Sequence, residues 1–325
     1  MAGTGSGHLR DDAVLRVDDL VVEFPLRRKQ VVHAVSGVSF DLIEGETLGI
    51  VGESGCGKTT TGRAVMRLET VTGGSVTLNG ADLTSLDGEE LRQARRAMQM
   101  IFQDPVSSLN PSRRVRDIVR EGIDIWGSER PDVDGWVAEV LDSVGLGDGS
   151  VLDRRPHEFS GGQCQRINIA RALVMEPDVL ILDEPVSALD VSVQAQILNL
   201  LEGLKTKFGL TMLFISHDLA VVKNISDRVM VMYLGKVCEI ADTGDLYANP
   251  THPYSRALLA SIPGHTLDLP PASELISGEL PSPLDPPSGC RFRTRCPRAT
   301  ELCASDEPEL SEVEPDHWVA CHHHE

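Results

Sequence analysis

Long apolar runs are missing from this chain of 325 residues. Those present, such as Val179–Leu182 and Thr211–Ile215, fall far short of the roughly 20 residues a bilayer-spanning helix needs. Basic residues are scarce: 30 Lys and Arg against 49 Asp and Glu give a formal charge of −19, which argues against binding nucleic acid through overall charge. Met1–Ala13 is polar and Gly-rich and lacks the apolar core of a secretory signal. Internal repeats and heptad runs are also absent. These absences predict a soluble, cytoplasmic chain whose membrane role, if it has one, comes through a partner. In that compartment the seven cysteines are not expected to form a disulfide framework. What is present, 41% hydrophobic and 24% charged residues, suffices for a sizeable core, and the length fits two domains or one large domain with an appendage.

Residues 14–264 alternate β-branched runs with helical stretches, which predicts an α/β domain built on a largely parallel sheet. Strands are expected at Leu15–Val22, Thr47–Val51, Ser75–Leu78, Met98–Phe102, Val179–Leu182, Thr211–Ile215 and Arg228–Tyr233. Strand signals mostly stop over about residues 89–165, where Val115–Trp126 and Trp136–Val144 read as amphipathic helices, so a helical insertion is expected there. Residues 265–325 hold 9 of the 19 prolines and 12 acidic against 4 basic residues. Such a segment packs poorly unaided and is expected to need a staple.

Thr47–Val51 is followed by Gly52-Glu-Ser-Gly-Cys-Gly57-Lys58-Thr59 and a helix, which matches the phosphate-loop pattern G-x-x-x-x-G-K-[ST] in its strand–loop–helix context. Gly52, Ser54, Gly55, Cys56 and Gly57 would turn backbone N–H groups toward phosphate oxygens, aided by the helix N-terminus. Lys58 would reach the β- and γ-phosphates, Thr59 would ligate Mg²⁺, and Thr60 is placed for the α-phosphate. The same N–H groups would favour a thiolate at Cys56, although a small residue tolerated where Ser would also fit is the simpler reading. Val179–Leu182 ends in Asp183-Glu184, a strand delivering a metal-organising carboxylate beside a base.

Phe159-Ser-Gly-Gly-Gln163 opens a helix with a hydroxyl and N–H groups that can meet an anion. Here the chain resembles the ATP-binding cassette (ABC) family, whose signature reads much like this stretch, with Phe159 where the family usually has Leu. Gln103 after a strand, Ser187-Ala-Leu-Asp190 and His217 in Ile215-Ser-His-Asp218 follow in the family's order. The resemblance implies the P-loop NTPase fold of an ABC nucleotide-binding domain (14–264), a helical subdomain insertion and a C-terminal cysteine-containing extension (265–325). It also implies two such domains stacked head-to-tail with ATP between them. Each nucleotide would touch the phosphate loop of one chain and Ser160, Gly161, Gly162, Gln163 and Asp190 of the other. Glu184, His217 and Gln103 would be the catalytic set, Thr59, Gln103 and Asp183 would hold Mg²⁺, and Phe24 would stack on adenine.

Phe102-Gln-Asp-Pro-Val-Ser-Ser-Leu-Asn-Pro111, Pro156–Arg166, Ser187–Gln196 and His252-Pro-Tyr-Ser-Arg-Ala-Leu-Leu259 look like ATP-binding subunits of oligopeptide/dipeptide importers. That resemblance implies a motor ATPase peripheral to the cytoplasmic face of the inner membrane. Its partners would be a second ABC ATPase subunit (a heterodimer), two transmembrane permeases and an extracytoplasmic peptide-binding protein. Nickel importers share much of this sequence. A soluble cassette ATPase of translation or DNA maintenance and a non-hydrolysing scaffold are the other readings. The single cassette without a coiled coil speaks against the first of these, and the intact Lys58, Asp183, Glu184, Gln103 and His217 against the second.

Cys290, Cys296, Cys303 and Cys321 are spaced C-x5-C-x6-C-x17-C, without the close C-x2-C pairs of many structural zinc sites. Four thiolates can hold a 4Fe-4S cluster, and the interleaved Arg291, Arg293, Arg295 and Arg298 could offset its negative charge. Gly289–Pro297 and His317–His322 resemble the cysteine motifs of peptide-importer ATPases, some of which carry such a cluster. Zinc, and thiols that are reduced or paired, remain the alternatives; His322–His324 stand outside the ligand set.

Overall fold

The structure, a computed structural model, describes residues 5–27, 30–262 and 270–324. The strands are β1 (Leu15–Pro25), β2 (Val31–Leu42), β3 (Thr47–Val51), β4 (Gly73–Leu78), β5 (Ala81–Asp82), β6 (Met98–Ile101), β7 (Val179–Asp183), β8 (Thr211–Ile215), β9 (Arg228–Tyr233), β10 (Lys236–Asp242), β11 (Ser311–Glu314) and β12 (His317–Val319). The helices are α1 (Lys58–Val65), α2 (Gly88–Ala94), α3 (Val115–Trp126), α4 (Val133–Ser143), α5 (Gly161–Leu173), α6 (Val191–Phe208), α7 (Leu219–Ile225), α8 (Thr243–Ala248), α9 (Pro253–Ala260), α10 (Ala272–Leu275) and α11 (Glu301–Ser305). They fall into two compact units, Met1–Leu86 with Leu213–Glu325, and Asp87–Met212. The boundary expected at residues 264/265 lies outside the described residues.

In the first unit β3 pairs in parallel with β9, Leu48 opposite Arg228. Every residue of β3 is buried, as a parallel strand covered on both faces requires. The sheet is less parallel than the sequence predicts. β10 returns antiparallel to β9, and a separate antiparallel sheet runs in the order β2-β1-β4-β5. Reading the chain for strands misses β2, whose central Ser36-Gly37 interrupts the β-branched run, and β10. In β2 the long register with β1, from Leu42 opposite Leu15 to Val31 opposite Pro25, overrides that local weakness. Asp41, fully buried, is held by Arg10 at 2.9 Å and Arg228 at 2.7 Å, so the buried charge is paired rather than orphaned.

The tail has packing partners that its composition does not announce. β12 adds antiparallel to β10, and β11 to β12. Phe292 packs against Tyr233 and Tyr254 at ring-centroid distances of 5.2 and 5.3 Å. His317 of β12 meets the fully buried Glu239 of β10 at 2.6 Å. These aromatic and polar anchors supply the order that the tail's own composition does not.

The second unit pairs β6 with β7 in parallel, Met98 opposite Val179. α5 packs on β6, and against α5 lie α3, which spans the expected residues, and α4, which starts three residues before the predicted helix. The Asp132 carboxylate caps the N-terminus of α4 by accepting from the Gly135 N–H.

Candidate nucleotide site

The phosphate loop belongs to the first unit. Gly52 (φ 152°) and Gly57 (φ 104°) hold backbone conformations that side chains rarely adopt. A Cβ at Gly52 would lie 2.1 Å from the Met232 carbonyl oxygen, and one at Gly57 would lie 2.3 Å from that of Ala34. Glycine is therefore required twice by close approach of backbone. Gly57 is also the N-cap of α1, so the first turn has no capping side chain and its N–H groups face the loop. Lys58, 5% exposed, donates to the Gly52 and Glu53 carbonyl oxygens at 2.8 and 3.1 Å, which holds its ammonium within the loop. Ser54 and Gly55 are exposed; Thr59 and Thr60 follow half-buried on α1. Cys56 is 1% exposed and burial pushes its thiol above the ordinary range, so the thiolate is disfavoured and the small-residue reading fits.

β7 delivers Asp183 and Glu184 in the second unit. Asp183 is 2% exposed at the strand end, while Glu184 is half-buried. Glu184 has φ 49°, a left-handed conformation unusual for a non-glycine residue. The turn that imposes it is closed by Ser187, whose N–H and hydroxyl donate to the Glu184 carbonyl at 3.2 and 3.0 Å. The Gln103 amide Nε2, from the loop after β6, donates to Glu184 Oε2 at 3.0 Å. Two residues singled out separately in the sequence, 81 positions apart, are thus brought into direct contact.

Ser160 is the N-cap of α5, with a reciprocal capping box to Gln163: Ser160 N–H donates to Gln163 Oε1 at 3.0 Å, and Gln163 N–H to Ser160 Oγ at 3.4 Å. Gly161 and Gly162 form the first turn, and a Cβ at Gly162 would meet Val193 Cγ1 of α6 at 2.5 Å. Asp190 is the exposed N-cap residue of α6. In the first unit His217 is exposed after β8, where the Ser216 N–H bonds the Ile50 carbonyl of β3 at 3.1 Å, and Phe24 is half-buried in β1 opposite Val32.

The tail cysteines are neighbours. Cys290 N–H donates to the Cys303 carbonyl at 2.8 Å. The Cys290 thiol is pushed up to about 12, first by burial and then by the other three thiols. Burial raises Cys296 and Cys321 as well. None of the seven cysteines is joined in a disulfide. Among the described residues no group of three or more His, Cys, Asp or Glu side chains is arranged to hold a metal ion.

Sequence reasoning gave Glu53 no role, and gave Tyr254 and Arg295 none at the phosphate loop, where the structure ties all three together. Glu53 occupies one of the variable positions of the loop motif. Its N–H donates to the Tyr254 hydroxyl at 2.8 Å, and its carboxylate accepts a two-pronged pair from Arg295 at 2.7 and 3.1 Å. Only the His252-Pro-Tyr254 run pointed this way, and it did so without indicating a contact.

Comparison with known proteins places these features in a family. A model described as ABC transporter matches residues 35–187, and one described as oligopeptide/dipeptide transporter, C-terminal region, matches 238–303. The putative oligopeptide transport ATP-binding protein YkfD of Bacillus subtilis is 52% identical over 313 residues, 95% of each chain. The oligopeptide transport ATP-binding protein OppF of Salmonella typhimurium is 48% identical over 320 residues, again 95% of each. A solved dimeric ATP-binding cassette in a post-hydrolysis state bound to ADP and Pi matches with TM-score 0.64 and 26% identity, covering 70% of this chain and 98% of that one. The phosphate loop, the Asp183-Glu184 strand end and the Ser160-capped helix therefore sit in a cassette ATPase, and the chain belongs to the ABC transporter ATP-binding family, in the branch that carries the oligopeptide/dipeptide C-terminal region.

Proposed function

We propose that the chain is the ATP-hydrolysing motor subunit of a bacterial peptide importer, with peptide favoured over nickel because the relatives are named for oligopeptide transport. The observation that carries hydrolysis, rather than a binding scaffold, is Glu184 held by Gln103 at 3.0 Å beside the buried Asp183. In this reading Glu184 accepts a proton from water as the water oxygen bonds the γ-phosphorus. The bond from that phosphorus to the β–γ bridging oxygen breaks, and ADP and phosphate leave. Lys58 offsets γ-phosphate charge, His217 positions that group, and Phe24 stacks on adenine. Ser160, Gly161, Gly162, Gln163 and Asp190 serve a nucleotide held by the partner chain. Bound Mg²⁺ supplies neutralisation of phosphate charge. The Thr59 hydroxyl, the Asp183 carboxylate and the Gln103 amide oxygen are the hard oxygen donors that suit it.

The working organisation is a cassette over 14–264 with a helical subdomain over about 89–165 and an extension over 265–325. It acts with a second ATPase subunit, two permeases and an extracytoplasmic binding protein, at the cytoplasmic face of the inner membrane. No helix among the described residues is long and apolar enough to cross a membrane, which fits peripheral attachment. The groove expected to receive a short permease helix would lie near α3 and α4, where Arg116, Asp117, Arg120, Asp124 and Asp134 line a hollow of about 450 Å³. Co-purification with two polytopic membrane proteins and ATPase activity in that complex test the reading. Recovery instead with ribosomes or DNA would replace it.

Gln103→Ala removes the hydrogen bond to the Glu184 carboxylate, and turnover and transport should fall about tenfold with a smaller change in ATP affinity. Steady-state ATPase in the complex and nucleotide titration check this. Equal losses in both would count against Gln103 as a coupling residue.

The 4Fe-4S assignment rests on the four neighbouring thiols and the arginines between them, with a structural role on the tail. Anaerobically purified protein should be brown and hold about four iron atoms and acid-labile sulfide per chain. Zinc without iron or sulfide would remove the cluster while leaving a metal staple.

A further inference from the structure

Tyr254 of α9 and Arg295 of the C-terminal extension both meet the phosphate loop at Glu53, the first at its backbone and the second at its side chain. Tyr254, at the start of α9, accepts from the Glu53 N–H at 2.8 Å. Arg295, between Cys290 and Cys296 of the tail, donates through Nη1 and Nη2 to the two carboxylate oxygens at 2.7 and 3.1 Å. Arg295 is 8% exposed, and its guanidinium lies 5.8 Å from the Tyr233 ring centroid. Next to it Arg291 donates to the Leu234 carbonyl, and Gly235 N–H in turn donates to the Cys56 carbonyl of the loop at 2.8 Å.

Arginine suits this place because its planar fork meets a carboxylate along two parallel bonds, which fixes direction as well as charge. The direction matters, since the Glu53 and Gly52 carbonyls are the acceptors that hold the Lys58 ammonium. A shift at Glu53 therefore moves both the N–H cradle and the cation. The charge matters as much. Glu53 is an anion inside a loop that must accept anionic phosphates, and without a partner it would repel them.

We infer that Arg295 is a positioning residue for ATP binding: by pairing with Glu53 it cancels the phosphate loop's own carboxylate and aims the loop, which couples nucleotide affinity to the fold of the cysteine-bearing tail. This rests on the reading of that loop as the ATP site. The coupling needs no metal in the tail, only the placement of Arg295.

The test uses the full-length chain, with a fluorescent ATP analogue and Mg²⁺ for affinity and thermal melting for stability. Arg295→Gln should weaken ATP binding about five- to tenfold, as removal of one partner of a partly buried charge pair does. Adding Glu53→Gln to that variant should recover most of the affinity, and raising the salt should shrink the single-variant defect, because the repelling charge is removed or screened. In the assembled complex the single variant should raise KM for ATP more than it lowers kcat. Unchanged affinity with a lowered Tm, or a defect that Glu53→Gln does not relieve, would overturn the inference and leave Arg295 a structural anchor. If Arg295→Gln does not fold, Arg295→Lys takes its place, with a smaller loss expected because an ammonium cannot make both bonds; unchanged affinity in that variant would overturn it equally. A wild-type chain that binds no ATP, and is indistinguishable from Lys58→Ala, would instead remove the functional reading on which the inference stands.

Discussion

Glu184→Gln is expected to lower ATP turnover by about a hundredfold or more while ATP stays bound. The substitution keeps the shape of the side chain, and the turn closed by Ser187 onto the Glu184 carbonyl does not depend on the side chain. The left-handed backbone at φ 49° is therefore retained, and with it the placement of the group. What is lost is the ability to take a proton from the attacking water, together with the negative charge that the Gln103 amide stabilises at 3.0 Å. Phosphoryl transfer relies on positioning and electrostatics, so an uncharged isostere in the right place should bind without reacting. In a complex with two different ATPase chains, single-turnover measurement on ATP trapped at this chain's site separates it from the partner's site. Size-exclusion with ATP and Mg²⁺ should show the variant accumulating as a closed dimer. Near-normal single-turnover hydrolysis would mean that another residue is the base.

The parts legible in the sequence were those where one local pattern suffices. β3, β8, β9 and α3 have the predicted bounds, because short, mostly apolar runs and a clean amphipathic period need no distant partner to be recognised. The helix start at Ser160 is likewise local and opens α5 as expected, although its reciprocal box with Gln163 was not read. The misses are non-local. β2 depends on pairing with β1 across a Ser-Gly interruption, and β12 depends on the open edge of β10. The tail read as unable to pack because its composition says nothing of Tyr233 and Tyr254, 59 and 38 positions before Phe292, against which that ring packs. In the site, the motif named the loop residues for their N–H groups but not Glu53, whose partners Tyr254 and Arg295 lie far outside the motif. Its partner Arg295 was noticed only as a counter-charge to the cysteines. The 242 positions between Glu53 and Arg295 are closed by the fold alone.

The phosphate loop gives the second large expectation, and its glycines do not rank equally. Gly57→Ala places a Cβ 2.3 Å from the Ala34 carbonyl oxygen, which belongs to β2 and cannot rotate aside as a side chain could. It also forces a side chain into φ 104°, a conformation with a strain cost of about 1–3 kcal/mol. In a protein of this size each kcal/mol lowers Tm by about 2–4 °C, so melting should fall by several degrees. The overlap can be relieved only by moving the loop away from β2. That movement carries off the Gly57 N-cap and the Lys58 side chain together, and a displacement near 1 Å can cost about a hundredfold in a positioned site. ATP affinity should therefore fall by at least about tenfold. Gly55→Ala is the control, because Gly55 has φ 80° but nothing lies within 4 Å of its Cβ position. It carries backbone strain without the collision, so its effect on Tm and affinity should be clearly smaller. Melting curves and nucleotide titrations on the two variants separate the contributions. Equal losses would show that strain, not close approach to β2, fixes the loop, and wild-type affinity in Gly57→Ala would show that the contact with Ala34 does not place the phosphate-binding groups.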